Sequence, residues 1–403
     1  MKLIVGLTVS CLAMNAISLA PSSARFAQRQ TRQVPISRLL KNLEAQREDA
    51  MGATDKAMVD FRLGRLHAMA YAQNTESAPC DAGALPGSRY ELPDFGNTPD
   101  HLQFTAGDKK KKSPSAQEHL KAAINYLQTA VKKDPGLLSA KLGLAWCIDQ
   151  SGDKNKARLL YREIFTEAYK AECDSKGGMY SWSIAVETAN YLKPLLDPVR
   201  DKAELDLVDS QVKELNKLPR MITPIAVSLS AGADLKEVIQ NKAVEFDLDG
   251  FGKRKYQQWI SPKAAWLVLD SDGRGFIDSG LKLIGQSSFW IFWNNGYEVL
   301  KALDDNHDGK LTGAELNGIA LWQDLNCNGI SEKNEVRSLV QYGITAISTR
   351  ATKHSSSILW NESGVSMRNR KTLPTFDLVL GSALNPSIAP PAKAPMPLKS
   401  IAH

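Results

Sequence analysis

The chain has 403 residues, 43% of them hydrophobic and 23% charged, with a formal charge of +6 and five cysteines. This length and apolar content exclude an intrinsically disordered chain and leave room for two or three domains. The charge does not mark a nucleic-acid partner: its densest source, Lys109 to Lys112, has no interleaved aromatics and reads as a solvated loop.

The first residues, MKLIVGLTVSCLAMNAISLAPSSA, carry a lysine, an apolar run and a small-residue end. Ser22 and Ala24 fit a signal-peptidase site, so residues 1–24 are expected to be a signal peptide and the protein to be exported to the periplasm or beyond the cell. No later segment is long and apolar enough to span a bilayer, so no membrane span is expected in the mature chain. Cys80, Cys147, Cys173 and Cys327 then remain, in no metal-ligand spacing. Cys147 reads as a buried small hydrophobe, whereas Cys80 and Cys173 are a candidate pair in an oxidising compartment.

Residues 25–220 read as a helical domain, with helix-period apolar spacing from about Val34 to Arg220. In Ala122 to Phe165, small residues alternate with bulky ones around turns at Pro135 and at Gly152 and Asp153. Ala123, Leu127, Ala130, Pro135, Leu144, Ala145, Ala157 and Tyr161 resemble the 34-residue tetratricopeptide pattern, from which Lys141 and Ile164 depart. The resemblance implies a stack of helix pairs that offers a groove to a protein or peptide partner. DFRLGRLHAMAYA (Asp60 to Ala72) resembles the first helix of another repeat, with its partner starting near Gln117. The polar, Gly- and Pro-rich stretch between them, about 73–115, is expected to be a long insertion. WSIAVETANYLKPLLDP and AELDLVDSQVKELNKLP give a last helix pair. His67 and His119 read as packed or solvated residues, without a cluster of partners.

After Pro219 the period changes. MITPIAVSL, AVEFDL, KYQQWI and AWLVLD have strand character, as do GITAIST, SSILWNESGVSM and TFDLVLG, with a turn expected at Glu362 to Gly364. Residues 221–384 are therefore read as a mixed domain of short strands and calcium loops, and 385–403 as a disordered Pro- and Ala-rich tail. The run FWIFW, Phe289 to Trp293, is expected to fill a core; an exposed patch for a partner or a sugar chain is the alternative.

Asp304 to Glu315, DDNHDGKLTGAE, has the oxygen spacing of an EF-hand calcium loop. Asp304, Asn306 and Asp308 fill positions 1, 3 and 5, Gly309 permits the bend at 6, Lys310 offers a carbonyl at 7, and Glu315 closes at 12. Ca²⁺ is a hard cation that takes oxygens, and alternating short side chains aim theirs into one pocket. Asp324 to Glu335 repeats the pattern with Asp324, Asn326, Asn328, Ile330 and Glu335, its apolar residue at 7 instead of 8. On the residues chosen, the first loop carries one more carboxylate and is expected to bind more tightly.

Two further turns are weaker candidates. Asp270, Asp272 and Asp278 fit positions 1, 3 and 9, but Arg274 sits at 5 and can neutralise the first two, while Lys282 opposes a bound metal. Asp247 and Asp249 open a fourth turn, in which Phe251 takes the next alternate place and Lys253 to Lys255 follow. From about Val244 to Leu380 the order of these motifs resembles the calcium-binding domain of secreted bacterial proteins of the haemolysin and RTX-associated type. That resemblance implies an exported module braced by Ca²⁺ and no reaction.

The expectation is thus a multidomain α plus α+β protein: a tetratricopeptide-like stack followed by a domain of strands and EF-hand-like loops, non-enzymatic and calcium-binding. A scaffold whose loops are vestigial is the first alternative. A calcium-dependent extracellular hydrolase is the second, although no nucleophile elbow, phosphate loop or zinc signature is present.

Overall fold

The computed structural model describes residues 34–78, 112–175, 183–218, 221–230, 234–248, 254–271, 273–353 and 358–383. The expected signal peptide, the tail, most of the 73–115 insertion, Cys80, Asp249 and Asp272 lie outside these residues.

The first part is helical: α1 (Ile36–Asp49), α2 (Ala53–Gln73), α3 (Pro114–Lys133), α4 (Leu138–Gln150), α5 (Lys154–Asp174), α6 (Ile184–Leu192) and α7 (Lys202–Leu215). A two-residue strand β1 (Val34–Pro35) pairs with β2 (Ser77–Ala78) and ties the start of α1 to the end of α2. Ser113, Asp153 and Ser183 cap α3, α5 and α6 by accepting a backbone N–H with the side chain, the N-cap role that short polar residues serve best. Sequential helices pack side by side, and small residues set how closely. A Cβ at Gly64 on α2 would stand 2.6 Å from Leu127 Cγ on α3, and one at Gly143 on α4 only 3.1 Å from Leu127 Cδ2. Leu127 is fully buried between the two glycines.

The second part is mainly antiparallel sheet. Its elements are β3 (Met221–Ile222), β4 (Ile225–Ser228), the one-turn α8 (Leu235–Val238), β5 (Ile239–Phe246), β6 (Lys255–Ile260) and β7 (Ala264–Leu269). Then come α9 (Gly296–Leu303), β8 (Lys310–Thr312), β9 (Ile319–Trp322), β10 (Val336–Ser338), β11 (Ile344–Ser348), β12 (Thr352–Lys353), β13 (Leu359–Met367), β14 (Thr372–Asp377) and β15 (Leu380–Ala383). The large sheet runs β10-β9-β7-β4-β14-β13-β11-β8, with β12 on β13, and a smaller one runs β3-β15-β6-β5.

The large sheet is covered on both faces, which explains why β7, AAWLVL, reads as an uninterrupted apolar run instead of alternating. Ala265, Leu267 and Leu269 face one core with Leu39 and Leu43 of α1, Leu63 and Leu66 of α2, and Val299 and Leu300 of α9. Ala264, Trp266 and Val268 face the other, with Phe246 of β5 and Trp259 of β6. Glu362 to Gly364 is not a turn between two strands. It is an irregularity within β13, where the register to β14 shifts between Asn361 and Val365, and Gly364 closes to where a Cβ would strike the Thr375 hydroxyl.

The FWIFW run joins the two parts. Phe289, Ile291, Phe292 and Trp293 are buried, and two arginines of α2 lie over the rings: Arg62 5.0 Å from the Trp293 centroid and Arg65 4.0 Å from that of Phe292. Arg62 also pairs with Glu298 of α9 at 2.6 Å, and Arg65 donates to the Trp290 carbonyl. Among the described residues no helix is long and apolar enough to cross a membrane.

Candidate metal centre

The Asp304 loop hangs between α9 and the edge strand β8. Asn295 caps α9 by accepting from the Glu298 amide at 3.1 Å, and the helix delivers Asp304 at its C-terminal end. Asp304 Oδ2 accepts from the Gly309 amide at 2.9 Å, Asn306 Oδ1 from Asp308 N at 3.0 Å, and Asp308 Oδ1 from Lys310 N at 2.8 Å. Each short polar side chain therefore turns the backbone two or five residues on, and the chain coils around its own oxygens. The coil requires positive φ at His307 (58°) and Gly309 (86°). Glu315 closes it. Its Oε1 accepts from Asp305 N (2.8 Å) and Asn306 N (3.3 Å), its Oε2 from Thr312 N (2.8 Å), the last as half of a capping box. A carboxylate has about four lone-pair sites, so these bonds leave acceptor capacity unspent.

Asp304 is only 4% exposed, and its Oδ1 is buried with no donor at hydrogen-bonding geometry. Burial raises its pKa above the usual carboxylate range, and the negative charges of Glu315 and Asp308 raise it further, against the Gly309 and His307 amides. A cleft of about 510 Å³, lined by Asp55, Arg62, Glu298, His307 and Arg350 among others, reaches Asp304 from solvent.

The Asp324 loop, between β9 and β10, repeats most of this frame. Gly329 N donates to Asp324 Oδ2 at 2.8 Å, Asn328 N to Asn326 Oδ1 at 3.1 Å, Ile330 N to Asn328 Oδ1 at 2.8 Å, and Leu325 N to Glu335 Oε1 at 2.9 Å. Cys327 and Gly329 take the two positive φ values, 56° and 70°. The differences lie in what satisfies the charges. Asp324 accepts a third kind of donor, the Trp259 indole N–H at 2.8 Å, and Asn328 N reaches its Oδ1 at 3.1 Å, so both oxygens have partners. Burial still raises its pKa, opposed by these donors.

Glu332, at position 9, adds a carboxylate beyond the alternating positions 1, 3 and 5. Its two oxygens accept from the side-chain amides of Asn326 and Asn328, each at 3.0 Å. With Asp305 turned outward to Arg38 and Asn42, each loop keeps three carboxylates for its interior, Asp304, Asp308 and Glu315 against Asp324, Glu332 and Glu335, which removes the charge-count reason for ranking their affinities. The apolar shift is also explained. Ile330 at position 7 is half exposed, while Ser331 at 8 turns inward to accept from Ile277 N at 2.8 Å.

Ile277 belongs to the Asp270 turn, so this turn meets the Asp324 loop directly. Asp270 accepts from Gly275 N through both oxygens, at 3.1 and 3.2 Å, and Gly273 and Gly275 have φ of 67° and 68°, the same coil again. The cation here is the protein's own. Lys282 is 5% exposed, donates to the Phe276 carbonyl at position 7 (2.6 Å) and pairs with Asp278 at position 9 (3.2 Å). Asp247 is buried at the end of β5, its carbonyl accepting from Gly280 N at 2.8 Å. Among the described residues no three His, Cys, Asp or Glu side chains converge as a ready ligand group.

The Asp304 loop is also held from outside. Asp305 Oδ1 accepts from Arg38 Nε at 2.7 Å and Asn42 Nδ2 at 2.9 Å, and the same α1 residues reach the Leu303 and Ala302 carbonyls at 2.8 and 2.9 Å. Burial raises the Asp305 pKa, but the Arg38 and Asn42 bonds outweigh it and the net shift is downward.

The loops thus sit within a region that known proteins share. Residues 230–379 match the SPM domain. This region carries all four turns and most of the large sheet, but excludes the helical part. Among curated proteins, the chain is similar to the iron-regulated protein FrpA of Neisseria meningitidis serogroup C, 36% identical over 107 residues. That match covers 25% of this chain and 10% of FrpA, so the chain spans about a tenth of that relative's length.

Proposed function

We propose that this is an exported calcium-binding protein, in which the Asp304 and Asp324 loops hold Ca²⁺ to brace the sheet domain and the helical part binds a protein or peptide partner. The carrying observation is the buried Asp304 Oδ1, which no donor meets at full hydrogen-bonding geometry, in a coil with EF-hand spacing whose hydrogen-bond frame recurs at Asp324. Asn306, Asp308, Glu315 and the Lys310 carbonyl would complete the first set, and Asn326, Asn328, Glu335 and the Ile330 carbonyl the second. The chemistry is binding: oxygen ligands suit a hard cation, and no catalytic step is proposed. Export rests on the N-terminal apolar run alone. The resemblance of the motif order to haemolysin and RTX-associated domains supports the calcium reading.

Calcium then stabilises the native state by RT ln(1 + [Ca²⁺]/Kd), about 2.7 kcal/mol when free calcium is roughly 100 times Kd. Thermal unfolding in chelator and in millimolar calcium measures this. The midpoint rises with calcium in the wild type and the rise shrinks in Asp304→Asn, whereas equal rises in both proteins would remove the first loop from the account.

A specific observation favours a second reading for the other loop. Three backbone or indole N–H groups already satisfy Asp324, which makes that loop self-sufficient as a turn in a calcium-independent scaffold. Partner capture in calcium and in chelator separates the readings, since equal capture and equal stability favour the scaffold.

A further inference from the structure

A cluster outside the loops has a chemistry of its own. Where α2 packs on α3, His67 Nδ1 lies 2.7 Å from His119 Nδ1, although 52 residues separate them in sequence. His119 Nε2 faces the Glu76 carboxylate at 3.1 and 3.2 Å, and Glu76 also accepts from the Ser115 hydroxyl at 2.6 Å. The Tyr126 ring stacks on His67, with centroids 5.6 Å apart and an interplanar angle of 11°.

The proton inventory follows from the donors and acceptors. A carboxylate only accepts, so His119 carries its proton on Nε2 and turns Nδ1 toward His67. A ring-to-ring contact of this length holds one proton between the two Nδ1 atoms and has no room for two. Burial lowers the His67 pKa to about 4, with His119 lowering it further against the opposing charge of Glu76, so this ring is neutral at neutral pH. Two imidazole nitrogens, one protonated and one bearing a lone pair, therefore converge on one exchangeable proton. The carboxylate behind His119 is the outer partner that fixes a metal-bound histidine's tautomer and orientation.

We propose that His67 and His119 form a two-imidazole site for a divalent transition-metal ion of the Zn²⁺, Ni²⁺ or Cu²⁺ class, with Glu76 as the orienting outer residue. Imidazole suits these ions, whereas calcium prefers oxygen, so the site is independent of the loops. The ion takes the place of the bridging proton, which moves from His67 Nδ1 to Nε2; from the singly protonated pair, one proton is released. Metal–nitrogen distances of about 2.0–2.1 Å at a tetrahedral angle need the rings to part by roughly 0.6 Å. His119 is partly exposed, and water completes the shell. Bound metal would clip α2 to α3 across the long connection between them.

Untagged protein in chelator-treated buffer, titrated with ZnCl2 and NiCl2 by calorimetry and thermal unfolding, tests this. One ion per chain and a raised midpoint are expected, both lost in His67→Ala/His119→Ala, with affinity about tenfold or more weaker in Glu76→Gln. Single His119→Asn and His67→Gln variants stand in if the double variant fails to fold, and an unchanged calcium response reports that a variant is intact. Absence of zinc or nickel binding at millimolar metal, or binding unchanged by the histidine substitutions, would overturn the proposal.

Discussion

Arg62→Met lowers stability by about 3 kcal/mol and loosens α2 from α9. The guanidinium is nearly inaccessible, pairs with Glu298 at 2.6 Å and lies over the Trp293 ring. Breaking a buried ion pair by removing one partner costs roughly 3–5 kcal/mol, because the other charge stays behind. Glu298 is 22% exposed and keeps the Asn294 amide at 2.9 Å, which places the loss at the low end of that range. Methionine retains much of the apolar stem, so packing is a minor part of the effect. Denaturant unfolding gives the loss, and hydrogen exchange at α9 shows where the protein opens. A loss under 1 kcal/mol would mean that this pair does not hold the helical part to the sheet.

Lys282→Met is expected to be comparably damaging, and its loss is expected to depend on calcium. The ammonium is buried between the Phe276 carbonyl and Asp278, so its removal leaves an acceptor and a carboxylate without their cation. Asp278 is 18% exposed, and water screens part of the penalty, leaving about 2–3 kcal/mol. What remains is a coil with Asp270 at position 1, a carbonyl at 7 and a carboxylate at 9 as oxygen ligands, with Arg274 still at position 5. Millimolar calcium should therefore restore part of the stability in the variant. Denaturant unfolding in chelator and in calcium tests both halves: a variant as stable as the wild type in chelator would show that the ammonium does not stand in for a metal.

The residues differ in how far they could be read before the structure. The coiled turns are legible because their geometry is local: Asp304, Asn306, Asp308 and Gly309 bond within five residues, and spacing alone specifies that. The apolar run of β7 was legible as a strand, and its burial on both faces follows from the same run. The helices over Ala122 to Phe165 are legible through small residues, with Leu127 pinned between Gly64 and Gly143.

What spacing cannot carry is contact across the fold. Trp259 serves Asp324 from 65 residues away, and Arg38 grips Asp305 from 267. Arg62 and Arg65 lie in a helix that reads as an ordinary repeat, and nothing local says that their charges turn toward an aromatic core. Glu332 stands beyond the alternating positions that Asn326 and Asn328 mark, and its carboxylate at position 9 is the one local signal of its role. His67 and His119 lie 52 residues apart in sequence. Their meeting depends on the register of α2 against α3, which periodicity leaves open.

Calcium binding itself is the central claim, and calorimetric titration of the chelator-stripped, full-length wild-type chain with CaCl2 tests it most directly. Two ions per chain are expected, falling to one in Asp304→Ala and one in Asp324→Ala. Absence of binding at millimolar calcium, or a stoichiometry unmoved by both substitutions, would contradict it.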